Sequence, residues 1–122
     1  MLVDDEPDIS FVLKMVLEEN GFEAYAYDDS ILALEAFKPR YFDLVILDIK
    51  MPGMDGFHLY EEMKNRDKEV KVCFLTASEM YNQNYRKRED SCHLNKELFI
   101  RKPIENEILI QKINKLIASR SC

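Results

Sequence analysis

One short apolar run limits what this chain can fold into. Residues 44–47 are Leu, Val, Ile and Leu, and the carboxylate of Asp48 follows them directly, with turn residues at Pro52 and Gly53. A continuous apolar run of this length is typical of a strand buried on both faces, as in a parallel sheet. Open α/β sheets bind their ligands at the carboxyl ends of such strands. Because burial of an isolated charge is very costly, we predict that Asp48 is solvated, paired or metal-bound, and therefore a site residue.

Strand-like and helix-like segments alternate along the chain, which indicates an α/β fold with a parallel sheet. We predict five strands, at residues 1–3, 24–27, 43–48, 70–75 and 98–100. We also predict five helices: from Pro7 to a stop at Asn20-Gly21, over 31–37, after a cap at Asp55, a marginal one within 78–96, and over 105–119. The first strand is shorter than the roughly 5–6 residues usual for a strand. A chain that lacks preceding residues and a strand that is truly short both fit this observation.

The buried faces of the helices follow from the spacing of apolar residues. We expect Ile9, Val12, Leu13, Val16 and Leu17 in the first helix, Phe57, Tyr60 and Met63 in the third, and Leu109, Ile113, Leu116 and Ile117 in the last.

Composition limits the size and the class of function. The 122 residues fit one domain, so we expect residues 1–122 to form a single unit. The 17 basic and 23 acidic residues give a net charge of −6, which argues against direct binding of nucleic acid. No apolar run approaches the roughly 18 residues that span a bilayer, and no signal-peptide pattern opens the chain. We therefore expect no membrane association.

The cysteines predict neither a disulfide framework nor a zinc site. Cys73, Cys92 and Cys122 are odd in number and lack any CxxC spacing. Cys73 lies in an apolar strand and is expected to be a small core residue. A cytoplasmic location is the simplest compartment for this pattern.

Three carboxylates are expected to meet at one edge of the sheet. Asp4 and Asp5 follow the first strand as Asp48 follows the third, and these strands are neighbours in a doubly wound sheet. Like charges so close repel one another unless a cation relieves them. Oxygen-only ligands suit Mg²⁺. The alternative for Asp4, Asp5 and Glu6 is a solvated helix start that the helix dipole favours.

Two further residues close strands at the same edge. Thr76 ends the fourth strand pattern and Lys102 follows the fifth. Taken singly, Thr76 could be a helix cap and Lys102 a solvated charge. Together with three carboxylates they suit a phosphoryl group, with a carboxylate nucleophile, a metal, a hydroxyl donor and a lysine clamp.

At this point the chain resembles the receiver domain of two-component response regulators, in particular the single-domain chemotaxis receivers. The resemblance covers nearly all 122 residues. It rests on four blocks in matching order and separation: Val3-Asp4-Asp5-Glu6, Leu47-Asp48 with Met51-Pro52-Gly53-Met54-Asp55-Gly56, Thr76-Ala77, and Lys102-Pro103.

The resemblance implies a flavodoxin-like doubly wound (βα)5 three-layer fold with the parallel strand order 2-1-3-4-5. It implies that Asp48 accepts a phosphoryl group from a histidine kinase. Mg²⁺ would be bound by Asp5, Asp48 and the Lys50 backbone carbonyl, and by Asp4 through water. The phosphoryl oxygens would contact Lys102 and, after a movement, Thr76.

Phe99 matches the family's switch aromatic, and its alternative is an ordinary core phenylalanine. The implied output is a change in the surface formed by the fourth helix, the last strand and the last helix. A sensor histidine kinase or phosphotransfer protein is the expected partner on the input side. A downstream protein target, or an effector domain outside this chain, is expected on the output side.

Two other functions fit parts of the sequence. The chain could be a receiver fold that docks a partner without phosphorylation, although the intact acidic set with Thr76 and Lys102 weighs against this. It could also be an aspartyl-phosphate phosphatase acting on small molecules, but no insertion is long enough to form a substrate-selecting cap. We expect no enzyme activity beyond phosphorylation and dephosphorylation of the chain itself.

Overall fold

Five parallel strands form the centre of the molecule. The structure, a computed structural model, describes residues 1–76, 99–101 and 105–118. Its elements are β1 (Leu2–Val3), α1 (Pro7–Glu19), β2 (Ala26–Tyr27), α2 (Ser30–Ala36), β3 (Val45–Asp48), α3 (Gly56–Arg66), β4 (Val72–Thr76), β5 (Phe99–Arg101) and α4 (Asn106–Ala118). The marginal helix predicted within 78–96 lies outside the described residues.

The sheet has the order β2-β1-β3-β4-β5, which confirms the predicted 2-1-3-4-5 arrangement. The helices α2 and α3 contact each other on one face. Leu17 of α1 and Ile113 of α4 share a cavity on the other face. The central strands are covered on both faces, and Val45, Leu47 and Cys73 are fully buried. This is the flavodoxin-like doubly wound fold.

Local sequence signals set the ends of the helices. Pro7 opens α1 in its first turn, where a missing N–H has no consequence. Gly21 has φ +88° just beyond the end of α1, as predicted for the Asn20-Gly21 stop. The carboxylate of Asp29 accepts hydrogen bonds from two N–H groups at the start of α2, and that of Asp55 accepts one from His58 in α3.

The predicted buried face of α1 is partly wrong. Val12 is 53% exposed, whereas Ser10 is buried and its hydroxyl donates to the Pro7 carbonyl at 3.0 Å. The helix carries its own apolar side chains on nearly all sides, and those of Phe11 and Met15 are also exposed. Apolar spacing therefore could not select one face, and packing against the sheet decided it. The predicted buried faces of the third and last helices are confirmed. Their buried residues are Phe57, Tyr60, Met63, Leu109, Ile113 and Leu116, and Ile117 is partly buried.

The Cys73 thiol lies in the core, as predicted, and is 0% exposed. Burial raises its pKa to about 12 because the thiolate would lose its hydration. The thiol is therefore protonated and unreactive at neutral pH.

A buried carboxylate joins two loops at the end of the fold opposite the carboxyl ends of the strands. Asp67, at the end of α3, accepts hydrogen bonds from the N–H groups of Arg40 at 2.9 Å and Glu69 at 3.1 Å. Arg40 has φ +62°, a left-handed conformation that is costly for a residue with a side chain. The Asp67 carboxylate stabilises this turn.

We predict that Asp67→Ala lowers the free energy of unfolding by about 1–3 kcal/mol, because two backbone donors lose their acceptor. Asp67→Asn should have a smaller effect since one acceptor oxygen remains. Asp29→Ala is the matched control, because the exposed Asp29 carboxylate also accepts two N–H groups and its loss should cost about 1 kcal/mol. Urea unfolding measures the free energy of unfolding of all three variants. An Asp67→Ala protein at least as stable as Asp29→Ala would contradict the prediction.

Candidate functional site

The acidic site begins where β1 ends. The Asp4 N–H donates to the Tyr27 carbonyl of β2 at 3.1 Å, which fixes the backbone at this point. The Asp4 carboxylate in turn accepts a hydrogen bond from the Glu6 N–H at 2.9 Å. Asp4 is completely buried, Asp5 is half-buried and Glu6 is exposed. The side chains thus run from the interior to the surface within one turn of chain.

The pairing of β1 with β3 brings Asp48 to the same level of the sheet as Asp4. Leu2 is opposite Ile46 and Val3 is opposite Leu47, so the next positions are Asp4 and Asp48. Adjacent strands lie about 4.8 Å apart, and side chains at matched positions of parallel strands point to the same face. Asp48 is only 8% exposed. Two acidic residues that are largely removed from solvent therefore follow matched positions at the carboxyl ends of neighbouring strands.

A compact group of carboxylate oxygens lies at this edge. One ligand atom from each of Asp4, Asp5 and Glu6 falls within 4.8 Å of the others. Asp48 is not a member of this group, and Glu6 was not predicted as a ligand. A donor set made only of carboxylate oxygens fits Mg²⁺, which takes one or two carboxylates and keeps several waters. The same acids also lie at the start of α1, where the helix dipole favours negative charge.

The loop after β3 is held against the end of that strand by close backbone contacts. The Gly56 N–H donates to the Ile49 carbonyl at 2.8 Å, and the Ile49 N–H donates to the Leu75 carbonyl at 3.3 Å. A Cβ at Gly56 would collide with the Asp48 carbonyl oxygen and would lie 2.9 Å from the Ile49 Cα. Lys50 lies in this loop, two residues after Asp48, with an exposed side chain. Only glycine permits this approach, which fixes the backbone around Asp48.

The other predicted site residues occupy the same edge to the extent that the structure describes them. Leu75 is paired with Asp48, and Thr76 is the next and last residue of β4. The backbone of Phe99 lies in β5 opposite Phe74. Lys102 follows the last residue of β5 in the sequence and lies outside the described residues. The described backbone thus brings Asp4, Asp48 and Thr76 to one edge of the sheet.

The family model of the response regulator receiver domain matches residues 1–114. This chain belongs to that family. Receiver domains are signalling modules of two-component systems, and the family binds Mg²⁺ at an acidic pocket like the one that Asp4, Asp5 and Glu6 form.

Similar proteins include stand-alone and multidomain members of this family. The receiver domain is 30% identical to the Bacillus subtilis chemotaxis protein CheY over 96% of this chain and 95% of CheY. It is 30% identical to the Escherichia coli sensor protein EvgS over 95% of this chain, but it spans only 9% of the length of EvgS. The Thermotoga maritima response regulator TrrA, solved in complex with Mg²⁺-BeF, superposes with a TM-score of 0.79 at 34% identity and covers 94% of this chain and 95% of TrrA.

We predict that Gly56→Ala lowers the free energy of unfolding by about 1–3 kcal/mol, because the new methyl group forces the loop away from β3. Gly53→Asn is the matched control from the same loop. Gly53 has φ +77° with open space around its Cβ position, and Asn tolerates this conformation well. Urea unfolding measures stability, and the Asp48 amide resonance reports the site. Equal stability of the two variants would contradict a close approach at Gly56.

Proposed function

We propose that this receiver domain is a phosphorylation switch in which Asp48 accepts a phosphoryl group beside Mg²⁺. The pairing of β1 with β3 supports the proposal most directly, because it puts Asp4 at the same level as Asp48. Asp48 lies at a strand end, where α/β sheets bind ligands, and the carboxylate group of Asp4, Asp5 and Glu6 lies at the same edge. The low exposure of Asp48 favours an aspartyl phosphate that is shielded from water.

The proposed step is a displacement at phosphorus. A carboxylate oxygen of Asp48 attacks the phosphorus of a phosphohistidine, and an acyl phosphate bond forms. The P–N bond breaks, its electron pair goes to the imidazole nitrogen, and that nitrogen takes up a proton. Positioning and positive charge supply most of the stabilisation of such a transition state.

Each remaining site residue has a proposed role. Asp5, Asp48 and the Lys50 carbonyl would hold Mg²⁺, with Asp4 acting through water. The ion, when bound, supplies positive charge that offsets the charge of the phosphoryl oxygens. Lys102 contacts those oxygens and Thr76 donates a hydrogen bond to one of them.

The proposed output is a shift between two conformations. The phosphoryl group adds about −1.5 to −2 charges and new acceptor oxygens at the edge of the sheet. Thr76 moves toward these oxygens and Phe99 rotates. The surface formed by the predicted helix within 78–96, by β5 and by α4 then changes its preferred state.

The domain therefore works by binding and modification rather than by substrate turnover. Its input partner is a sensor histidine kinase or a phosphotransfer protein, and its output is a protein target or an effector domain. We propose a cytoplasmic location, a single domain over residues 1–122, and no direct contact with nucleic acid. Within the described ranges, no helix combines the length and the apolar character needed to cross a bilayer.

We predict that acetyl phosphate with Mg²⁺ adds one phosphoryl group to the intact protein, measured as a mass shift. Asp48→Asn should abolish the shift because the nucleophilic oxygen is lost. Asp43→Asn is the matched control, since this exposed carboxylate precedes β3 at the opposite end of the strand. An unchanged mass for the unmodified sequence, or phosphorylation of Asp48→Asn to the same extent, would contradict the assignment.

We predict that Mg²⁺ raises the unfolding temperature and that Asp5→Ala removes most of this effect. A ligand present at 100 times its Kd stabilises the folded state by about 2.7 kcal/mol. Thermal unfolding across a Mg²⁺ series measures the response, again with Asp43→Asn as the control. A Mg²⁺ response that is equal in Asp5→Ala would favour the alternative, a receiver fold that docks its partner without phosphorylation.

A further inference from the structure

The Asn20-Gly21 pair at the end of α1 has a chemistry that the proposed switch does not use. It is the only Asn-Gly pair in the sequence. In such a pair the backbone nitrogen of glycine can attack the side-chain amide carbon of asparagine, because glycine has no side chain to hinder the approach. Both residues are exposed, so water reaches them. Whether the reaction occurs therefore depends on the geometry of the turn.

Backbone hydrogen bonds hold the attacking nitrogen in place. The Gly21 N–H donates to the Glu18 carbonyl at 3.2 Å, and the Phe22 N–H donates to the Leu17 carbonyl at 3.0 Å. These two bonds form a Schellman motif, for which Gly21 supplies the positive φ of +88°. The side chain of Phe22 packs against the hydrophobic core and so keeps this turn closed.

The side chain of Asn20 is held by a different bond. Its Nδ2 atom donates to the Val16 carbonyl at 2.8 Å, which satisfies a carbonyl near the end of the helix. The Asn20 backbone has ψ 17°, so the Gly21 nitrogen nearly eclipses the Asn20 backbone nitrogen and is turned away from Cβ. Closure of a five-membered ring needs the Gly21 nitrogen to eclipse Cβ instead. The closed turn therefore keeps the two reacting atoms apart.

We propose that Asn20 is a deamidation site that reacts only while the last turn of α1 is open. In the open turn the Gly21 nitrogen attacks the Asn20 Cγ and a new C–N bond forms. The bond from Cγ to Nδ2 breaks, and Nδ2 leaves as ammonia with the proton that the Gly21 nitrogen gives up. Water then adds to one of the two carbonyl groups of the resulting succinimide and opens it to aspartate or isoaspartate.

The product cannot restore the closed turn. A carboxylate at position 20 has no N–H to donate to the Val16 carbonyl, and it lies at the negative end of the helix dipole. Glu18 and Glu19 place two more negative charges beside it. Deamidation therefore weakens the C-terminal end of α1, and the Asn20-Gly21 pair records how long this turn has been open.

The experiment compares the 122-residue protein with two variants and with free peptides that span residues 18–23 of each sequence. Phe22→Ala removes the side chain that holds the turn against the core and leaves the Asn-Gly pair intact. Phe11→Ala is the matched control, because this side chain of the same helix is 64% exposed. Mass spectrometry follows the conversion at position 20 at neutral pH, and hydrogen exchange of the Gly21 amide measures opening of the turn. Circular dichroism checks that each variant is folded, and urea below the unfolding transition opens the turn of the unmodified protein without a substitution.

The folded protein should deamidate about tenfold more slowly than its peptide, or more slowly still. Phe22→Ala and urea should both raise the deamidation rate in proportion to the exchange rate of the Gly21 amide, whereas Phe11→Ala should change neither rate. Asn20→Asp, which is one product of the reaction, should lower Tm by about 3 °C or more.

A folded protein that deamidates as fast as its peptide would overturn the proposal. A deamidation rate that stays constant while exchange of the Gly21 amide increases would overturn it as well. An Asn20→Asp protein with an unchanged Tm would overturn the proposed effect on α1. Since no phosphoryl donor or metal ion is involved, these outcomes are independent of the proposed function.

Discussion

The pairing of β1 with β3 is the interaction on which the rest of the structure depends. β1 has only two residues, yet it lies inside the sheet and pairs with β2 on one side and β3 on the other. This register alone brings Asp4 to the level of Asp48. A shift of one residue would turn Asp4 to the opposite face of the sheet. The relative position of Asp4 and Asp48 therefore depends on a short ladder of backbone hydrogen bonds. Residues far from the site contribute to its geometry because they hold β1 in place.

Most buried faces could be predicted because they follow from patterns that repeat along the chain, and the strand order could be predicted from the resemblance to receiver domains. Strand lengths could not. Residues 24–27 and 43–48 have strand-like sequences, but the paired segments are Ala26–Tyr27 and Val45–Asp48. A strand extends only as far as its neighbour offers hydrogen-bond partners, and β1 begins at Leu2. The error over Val12 has a different cause, because α1 is apolar on too many sides for its sequence to specify one buried face.

At the site, the sequence marked acidic residues as candidates, and the structure added residues that set the geometry of the backbone around them. Asp4, Asp5 and Asp48 stand out because acids directly follow apolar runs. Glu6 belongs to the same carboxylate group as Asp4 and Asp5. The sequence signal that could have identified it as a candidate ligand is its position next to Asp5. Gly56 gives no sign in the sequence that its hydrogen atom faces the Asp48 backbone. Such a contact depends on how the loop after β3 returns to the strand, which no local pattern specifies.

We propose that Asp48 becomes phosphorylated next to a divalent cation held by the neighbouring acids. Beryllium fluoride with Mg²⁺ mimics the bound phosphoryl group and can be followed by amide NMR. We expect shifts at Asp4, Asp5, Asp48 and Thr76 that require both components and are lost in Asp48→Asn. Resonances at the opposite end of the sheet, such as Leu44, should stay unchanged. Spectra without shifts at the four site amides, or with the same shifts in Asp48→Asn, would contradict it.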